Sequence, residues 1–176
     1  MKYSKPKIKT ISMDTTYVIC ASYNQTGRKS SFSSNTIINV PQEVKDLYSG
    51  MTMRQKAAAM NLMMVLGGSC PPTPAAISEI NKIMTYAGRS MGISGREYKS
   101  YTDSFEGVRG MISELKGVKD RTVMDTLFLS FFSVVSVGKS EQALSALLNI
   151  YSEFGYTEDD CYAILQKAEA LSRRFG

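Results

Sequence analysis

Residues 154–161 read FGYTEDDC, which puts Glu158, Asp159 and Asp160 in consecutive positions directly before a thiol, Cys161. Three carboxylates this close are the residue types that hold a divalent cation or run general acid/base chemistry. A local reading competes. Acids in the first turn of a helix are stabilised by its unpaired N–H groups and positive dipole end, each by roughly 0.3–1 kcal/mol. Gly155 is placed to end one helix and Thr157 to cap the next, with the three acids opening it. Side chains in a first turn splay around the axis, so consecutive acids do not converge on one ion. The sequence favours a helix start.

Other letters that spell chemistry fail on context. Gly88-Arg89-Ser90-Met91-Gly92 matches the nucleophile-elbow pattern, which needs a strand-turn-helix setting and a histidine. The chain has no histidine, and these five residues close an amphipathic helical pattern. That absence also removes the usual general base and the commonest transition-metal ligand. Gly107-Val108-Arg109-Gly110 has the letters of a backbone-clamping GxxG loop but sits within a helical stripe. Cys20, Cys70 and Cys161 form no CxxC pair, which favours free thiols in a reducing, cytoplasmic compartment. Cys161 shares an apolar face with Leu165 and Ala168 and reads as an inert buried thiol. No catalytic or metal-ligating set and no cofactor is predicted, and the expectation is that the protein is not an enzyme.

Charge points elsewhere. Of 21 basic and 16 acidic residues, Lys2, Lys5, Lys7, Lys9, Arg28 and Lys29 stand against Asp14 alone within residues 1–40. Beyond residue 40 fifteen basic residues balance fifteen acidic ones, so the whole formal excess of +5 belongs to the N-terminal segment. These six cations, with Tyr3, Tyr17 and Tyr23 nearby, are the candidate partner- or anion-binding residues. The start, MKYSKPKIKT, has no apolar run behind it, so no signal peptide is expected. No stretch approaches the ~18 uninterrupted apolar residues of a spanning helix.

Two regions must carry these residues. TTYVICAS (15–22) and NTIINV (35–40) are β-branched and flank a Gly- and Ser-rich stretch, a pattern that predicts a hairpin-like extended arm. From Pro41, a candidate first helical residue, the periodicity is helical. A short helix ends near Gly50. Thr52 and Gln55 form a capping-box pattern before an apolar helix that stops at Gly67-Gly68. Its methionines, with Met51 and Met53, are expected to fill the core. A third helix carries Ile77, Ile80, Ile83, Met84, Ala87 and Met91 as one apolar stripe and ends at Gly92. Ser94 and Glu97 cap the next, which buries Tyr98 and Tyr101. Asp103 and Glu106 open a helix holding Phe105, Val108, Ile112 and Leu115. Residues 121–138 form a very apolar helix with Ser130, Ser133 and Ser136 bonding back to the preceding turn. Residues 141–154 form an amphipathic helix, and Arg173-Arg174 complements the dipole at the end of the last.

The helical region repeats itself. Gly92-Ile93-Ser94 aligns with Gly155-Tyr156-Thr157, Met84 with Leu147, Met91 with Phe154, and AAAMNLMMVLG (57–67) with FLSFFSVVSVG (128–138). Such a unit of about 45 residues, doubled, buries two apolar helices against each other. With MGISGREY, FGYTEDDC and VSVGKSEQ as its best stretches, the chain resembles the TerB-like (tellurite-resistance protein B) helical family over roughly residues 52–172. That resemblance implies a bundle of two tandem helical units. The family's metal-binding candidates are an Asp-Gly and a following glutamate after the first helix of each unit. Here those positions read Leu66-Gly67-Gly68 and Val137-Gly138, and Glu141 alone remains in the second loop, so metal binding does not carry over.

The fold class expected is mainly α: a helical bundle of two pseudo-repeated three-helix units (41–176) with a short N-terminal β-hairpin-like basic arm (1–40). The function expected is a non-enzymatic cytoplasmic interaction or scaffold protein. It would contact a protein partner or a second copy through the arm and the helical surface. The alternative is a nucleic-acid or anionic-surface binding protein that uses the arm's cations.

Overall fold

A computed structural model describes residues 39–175. Within them the chain forms eight α-helices and no strand, and no helix is long and apolar enough to cross a membrane. The extended arm predicted for residues 1–40 lies, except for its last two residues, outside the described residues. Of those two, Val40 is buried.

Helix α1 (Gln42–Leu47) begins after Pro41, which sits one residue before the helix in an extended conformation (φ −56°, ψ 146°) rather than at its first position. Tyr48 and Met51, in the turn that follows, are buried. Helix α2 (Met53–Gly67) starts on the predicted capping box. The Thr52 hydroxyl accepts from the Gln55 N–H (3.1 Å), while Gln55 Oε1 accepts from the Thr52 N–H (3.0 Å). Apart from Asn61, the interior of this helix is apolar on every side. Ala57, Ala58, Ala59, Met60, Leu62 and Met63 are all essentially inaccessible, which is what a central helix requires. Three consecutive alanines let neighbours approach closely, and four helices pack on α2. Met51, Met60 and Met63 fill the core as expected, whereas Met53 and Met64 are exposed.

Helix α3 (Pro74–Met91) is capped by the Thr73 hydroxyl and runs back along α2. Its predicted stripe holds for Met84, Ala87 and Met91, which are buried, and for Ile80 and Ile83, which are half-buried. Ile77 departs from it. At 50% exposure it lies beyond the reach of α2, at the corner where the two helices turn. Between Lys56 and Glu79 there is no charged residue. Met64 and Val65 near the end of α2 and Ile77 near the start of α3 are exposed, with Pro71, Pro72 and Pro74 between them in the chain.

Gly92 closes α3 in the left-handed conformation (φ 70°), and the Ile93 N–H reaches back to the Gly88 carbonyl at 2.9 Å. A side chain at Gly88 would put its Cβ 2.9 Å from the Ile93 carbonyl oxygen, so this tight return depends on the glycine. Helix α4 (Gly95–Ser100) carries the predicted Ser94/Glu97 box, with Tyr98 buried and Tyr101 half-buried.

The next element differs from expectation. Residues Thr102–Ser104 form a single 3₁₀ turn, Phe105 is extended (φ −101°, ψ 138°), and helix α5 starts at Gly107 and ends at Leu115. Burying the Phe105 ring breaks the helix there, and Arg54 holds the break in place. Its guanidinium donates to the Ser104 carbonyl and hydroxyl (3.0 Å each) and to Glu114 (3.0 Å), and it lies 4.7 Å over the Phe105 ring.

Helix α6 (Arg121–Val137) is capped by Asp120 and packs on α2, α3, α7 and α8. Its Ser130, Ser133 and Ser136 hydroxyls donate to the carbonyls four residues back, as predicted. Helices α7 (Glu141–Glu153) and α8 (Glu158–Phe175) complete the bundle. At their junction Gly155 is left-handed (φ 87°) and the Tyr156 N–H bonds the Tyr151 carbonyl at 3.0 Å. Tyr151 is fully buried at the centre of an aromatic cluster. The rings of Phe128, Tyr156 and Phe154 stand edge-on to it at 4.8, 5.1 and 5.2 Å. Its hydroxyl donates to the Met124 carbonyl (2.8 Å).

Candidate functional site

The acidic triplet opens α8 as a helix start. The Thr157 hydroxyl accepts from the Asp160 N–H (3.1 Å), and Asp160 Oδ2 accepts from the Thr157 N–H (2.9 Å). This reciprocal cap holds the Asp160 carboxyl below its usual range, the Thr157 N–H being the largest cause, with help from the Thr157 hydroxyl and Arg121. Among the described residues no three His, Cys, Asp or Glu side chains are placed to hold a metal ion together. Ser90, at the centre of the elbow-like letters, lies in the last turn of α3 and donates to the Tyr86 carbonyl (2.8 Å). Gly107–Gly110 forms the first turn of α5. Lys2, Lys5, Lys7, Lys9, Arg28 and Lys29 lie outside the described residues, and so does Cys20.

Cys161 is buried as predicted, and its thiol is pushed up to about 12, chiefly by burial and then by Asp160 and Glu158. Tyr156 is raised as well, first by burial and then by its hydroxyl's bond to Asp125, and so is buried Tyr151. The sign follows from the protonated forms being favoured in the fold. Below the ordinary thiol value of 9.0 the full contribution to stability is present; above it an unfolded chain ionises while the folded one holds its proton until about 12. Urea midpoints are therefore expected to hold to pH 9 and to fall steadily from there to pH 12. Cys161→Ala should flatten the first part of that fall. A wild-type midpoint unchanged at pH 11 would contradict this. Iodoacetamide at pH 8 should leave Cys161 unlabelled until the protein is denatured.

A further group of side chains converges beside the start of α8, at the first turn of α6. The turn after α5, the first turn of α6 and the α7–α8 junction enclose an open cleft of about 380 Å³. Leu115, Val118, Met124, Phe154 and Tyr156 supply its apolar lining; Lys116, Lys119, Arg121 and Glu153 supply the polar one. Each cation has a partner. Lys116 Nζ pairs with Glu153 at 3.3 Å, Lys119 Nζ donates to the Lys116 carbonyl at 3.3 Å, and Arg121 pairs with Asp160 at 3.6 Å. The Arg121 guanidinium also lies 4.3 Å over the Tyr156 ring, whose hydroxyl donates to Asp125 Oδ1 at 2.7 Å. Both ion pairs have half or more of a side chain in water, where such pairs contribute at most about 1 kcal/mol and exchange readily. An incoming anion can take over these cations without exposing a buried charge.

Sequence reasoning passed over this site because its two walls are more than thirty residues apart in the chain. The signal that was present is KGVKDR (116–121), three cations within six residues between two helices, the last of them, Arg121, in a first turn where the dipole favours acids. No family model, no curated protein and no solved structure matches this chain.

Proposed function

We propose that the chain is a non-enzymatic cytoplasmic interaction protein of TerB-like architecture, in which the helical bundle is the scaffold and the basic segment 1–40 the principal contact surface. The observation that carries this reading is the division of charge. Fifteen cations balance fifteen acids beyond residue 40, while the six cations before it face Asp14 alone. A segment so biased attracts acidic partners at long range, and its pull fades as salt shortens the Debye length. The two-unit organisation draws support from the matching turns. Gly92 and Gly155 are both left-handed, and the residue after each bonds a carbonyl five positions back. The apolar helices α2 and α6, the first of each unit, pack directly on one another.

The experiment compares the tagged full chain with a variant in which Lys2, Lys5, Lys7, Lys9, Arg28 and Lys29 are all replaced by glutamine. A protein that co-purifies in stoichiometric amount with the native chain, resists nuclease and is lost from the variant is the expected result. Nucleic acid lost from the variant in its place would favour the alternative reading. Identical co-purifying material from both forms would sink the assignment of contact to this segment.

A further inference from the structure

We infer that the cleft between the α5–α6 turn and the α7–α8 junction is a docking site for a short acidic peptide segment that carries one apolar side chain among its carboxylates. This rests on the reading of the chain as an interaction protein, but it places a second contact on the bundle itself, away from residues 1–40. Charge complementarity selects the occupant. Lys116, Lys119 and Arg121 line the cleft against Glu153, so its lining carries a net positive charge although the body beyond residue 40 is neutral as a whole.

Arg121 sits in the first turn of α6, where the helix dipole opposes a cation. Its partners there are Asp160, in a half-exposed ion pair that an incoming carboxylate can replace, and the Tyr156 ring. The Arg121 guanidinium lies over the Tyr156 ring, 4.3 Å from its centroid, a contact that favours this placement beside the cleft before a ligand arrives. A planar guanidinium suits a carboxylate, which it can engage through two parallel hydrogen bonds.

The apolar lining decides the rest. Half-buried Phe154 and Val118 line the cleft, and so do buried Met124 and Tyr156. A bare inorganic anion would leave that surface wet. An apolar side chain flanked by carboxylates would cover it while its acids exchange into the ion pairs of Lys116 and Arg121. Burial of such a side chain contributes roughly 25 cal/mol per Å² of apolar surface removed from water.

The test uses a fluorescein-labelled, acetylated peptide of four glutamates around a central phenylalanine. The protein is the full chain carrying the six N-terminal glutamine substitutions, so that residues 1–40 contribute no cations. Saturable binding by anisotropy is expected, with amide shifts in residues 115–124 and 153–156. Lys116→Gln combined with Lys119→Gln should weaken it about tenfold, the loss of roughly 1.4 kcal/mol. Lys119→Glu alone should weaken it in the same direction, and replacing the peptide's phenylalanine by alanine should do so too. Both lysines are well exposed, so the variants are expected to melt with the wild type. No saturable binding, or binding indifferent to both lysine variants, would overturn the site. A peptide that fails to bind while the native chain still loses its partner through the six glutamines would reject the cleft and leave the N-terminal reading standing.

Discussion

Tyr151→Ala is expected to lower the unfolding free energy by about 4 kcal/mol, the range for removing a large aromatic side chain from a packed core. Tyr151 is fully buried, touches rings from α6 and from the α7–α8 junction, and sends its hydroxyl to the Met124 carbonyl. Truncation empties the space between the rings of Phe128 on α6 and of Phe154 and Tyr156 at the α7–α8 junction. Tyr151→Phe keeps the rings and loses one hydrogen bond, a cost of about 1 kcal/mol. Against a total stability of about 5–15 kcal/mol, the alanine change removes a large share and the phenylalanine change does not. Urea unfolding of the two variants at equal m-value tests the difference. Equal losses, or an alanine loss below about 1 kcal/mol, would show that the cluster does not hold the second half of the bundle.

Asn61→Leu is the next largest, with an expected loss of about 2–3 kcal/mol in spite of the similar volume. Asn61 is the buried polar residue of α2. Its Nδ2 donates to the Ala57 carbonyl and to the Tyr98 carbonyl at the end of α4 (2.9 Å each), and its Oδ1 accepts from the Thr102 hydroxyl at 2.8 Å. One amide therefore ties α2 to the α4–α5 connection, and leucine leaves the Thr102 hydroxyl without that acceptor. In a double-mutant cycle with Thr102→Val, the Thr102–Asn61 hydrogen bond should appear as a coupling between the two sites. Strict additivity in the double-mutant cycle would contradict the coupling.

How much of this was legible in the sequence depends on range. Thr52/Gln55, Ser94/Glu97 and the start of α8 at Thr157 were readable because capping is chemistry within four residues, and the glycine stops at 67, 92 and 155 were readable for the same reason. The acidic triplet found its place in that way. Local signals misplaced α5. Asp103 and Glu106 have the letters of a helix start, yet Phe105 is drawn into the core and Arg54, about fifty residues earlier, fixes the extended bend. Ile77 has the right spacing for the buried stripe but lies past the end of the helix that would have covered it. The cleft was invisible because Arg121 and Tyr156 become neighbours only when α6 meets the α7–α8 turn.

The corner between α2 and α3 has a consequence for how the chain survives its own unfolding. A run without charge from Lys56 to Glu79, with Met64, Val65 and Ile77 already facing water, has the composition that pairs edge to edge between partly opened molecules. Proteins commonly guard such runs with flanking lysines or glutamates. Here the guard is Pro71, Pro72 and Pro74. Each lacks an N–H and fixes its φ, so a ladder of hydrogen bonds entering this segment stops within a few residues. Protection that resides in the backbone does not depend on ionisation or screening, and it persists at salt concentrations and pH values where charged gatekeepers stop working.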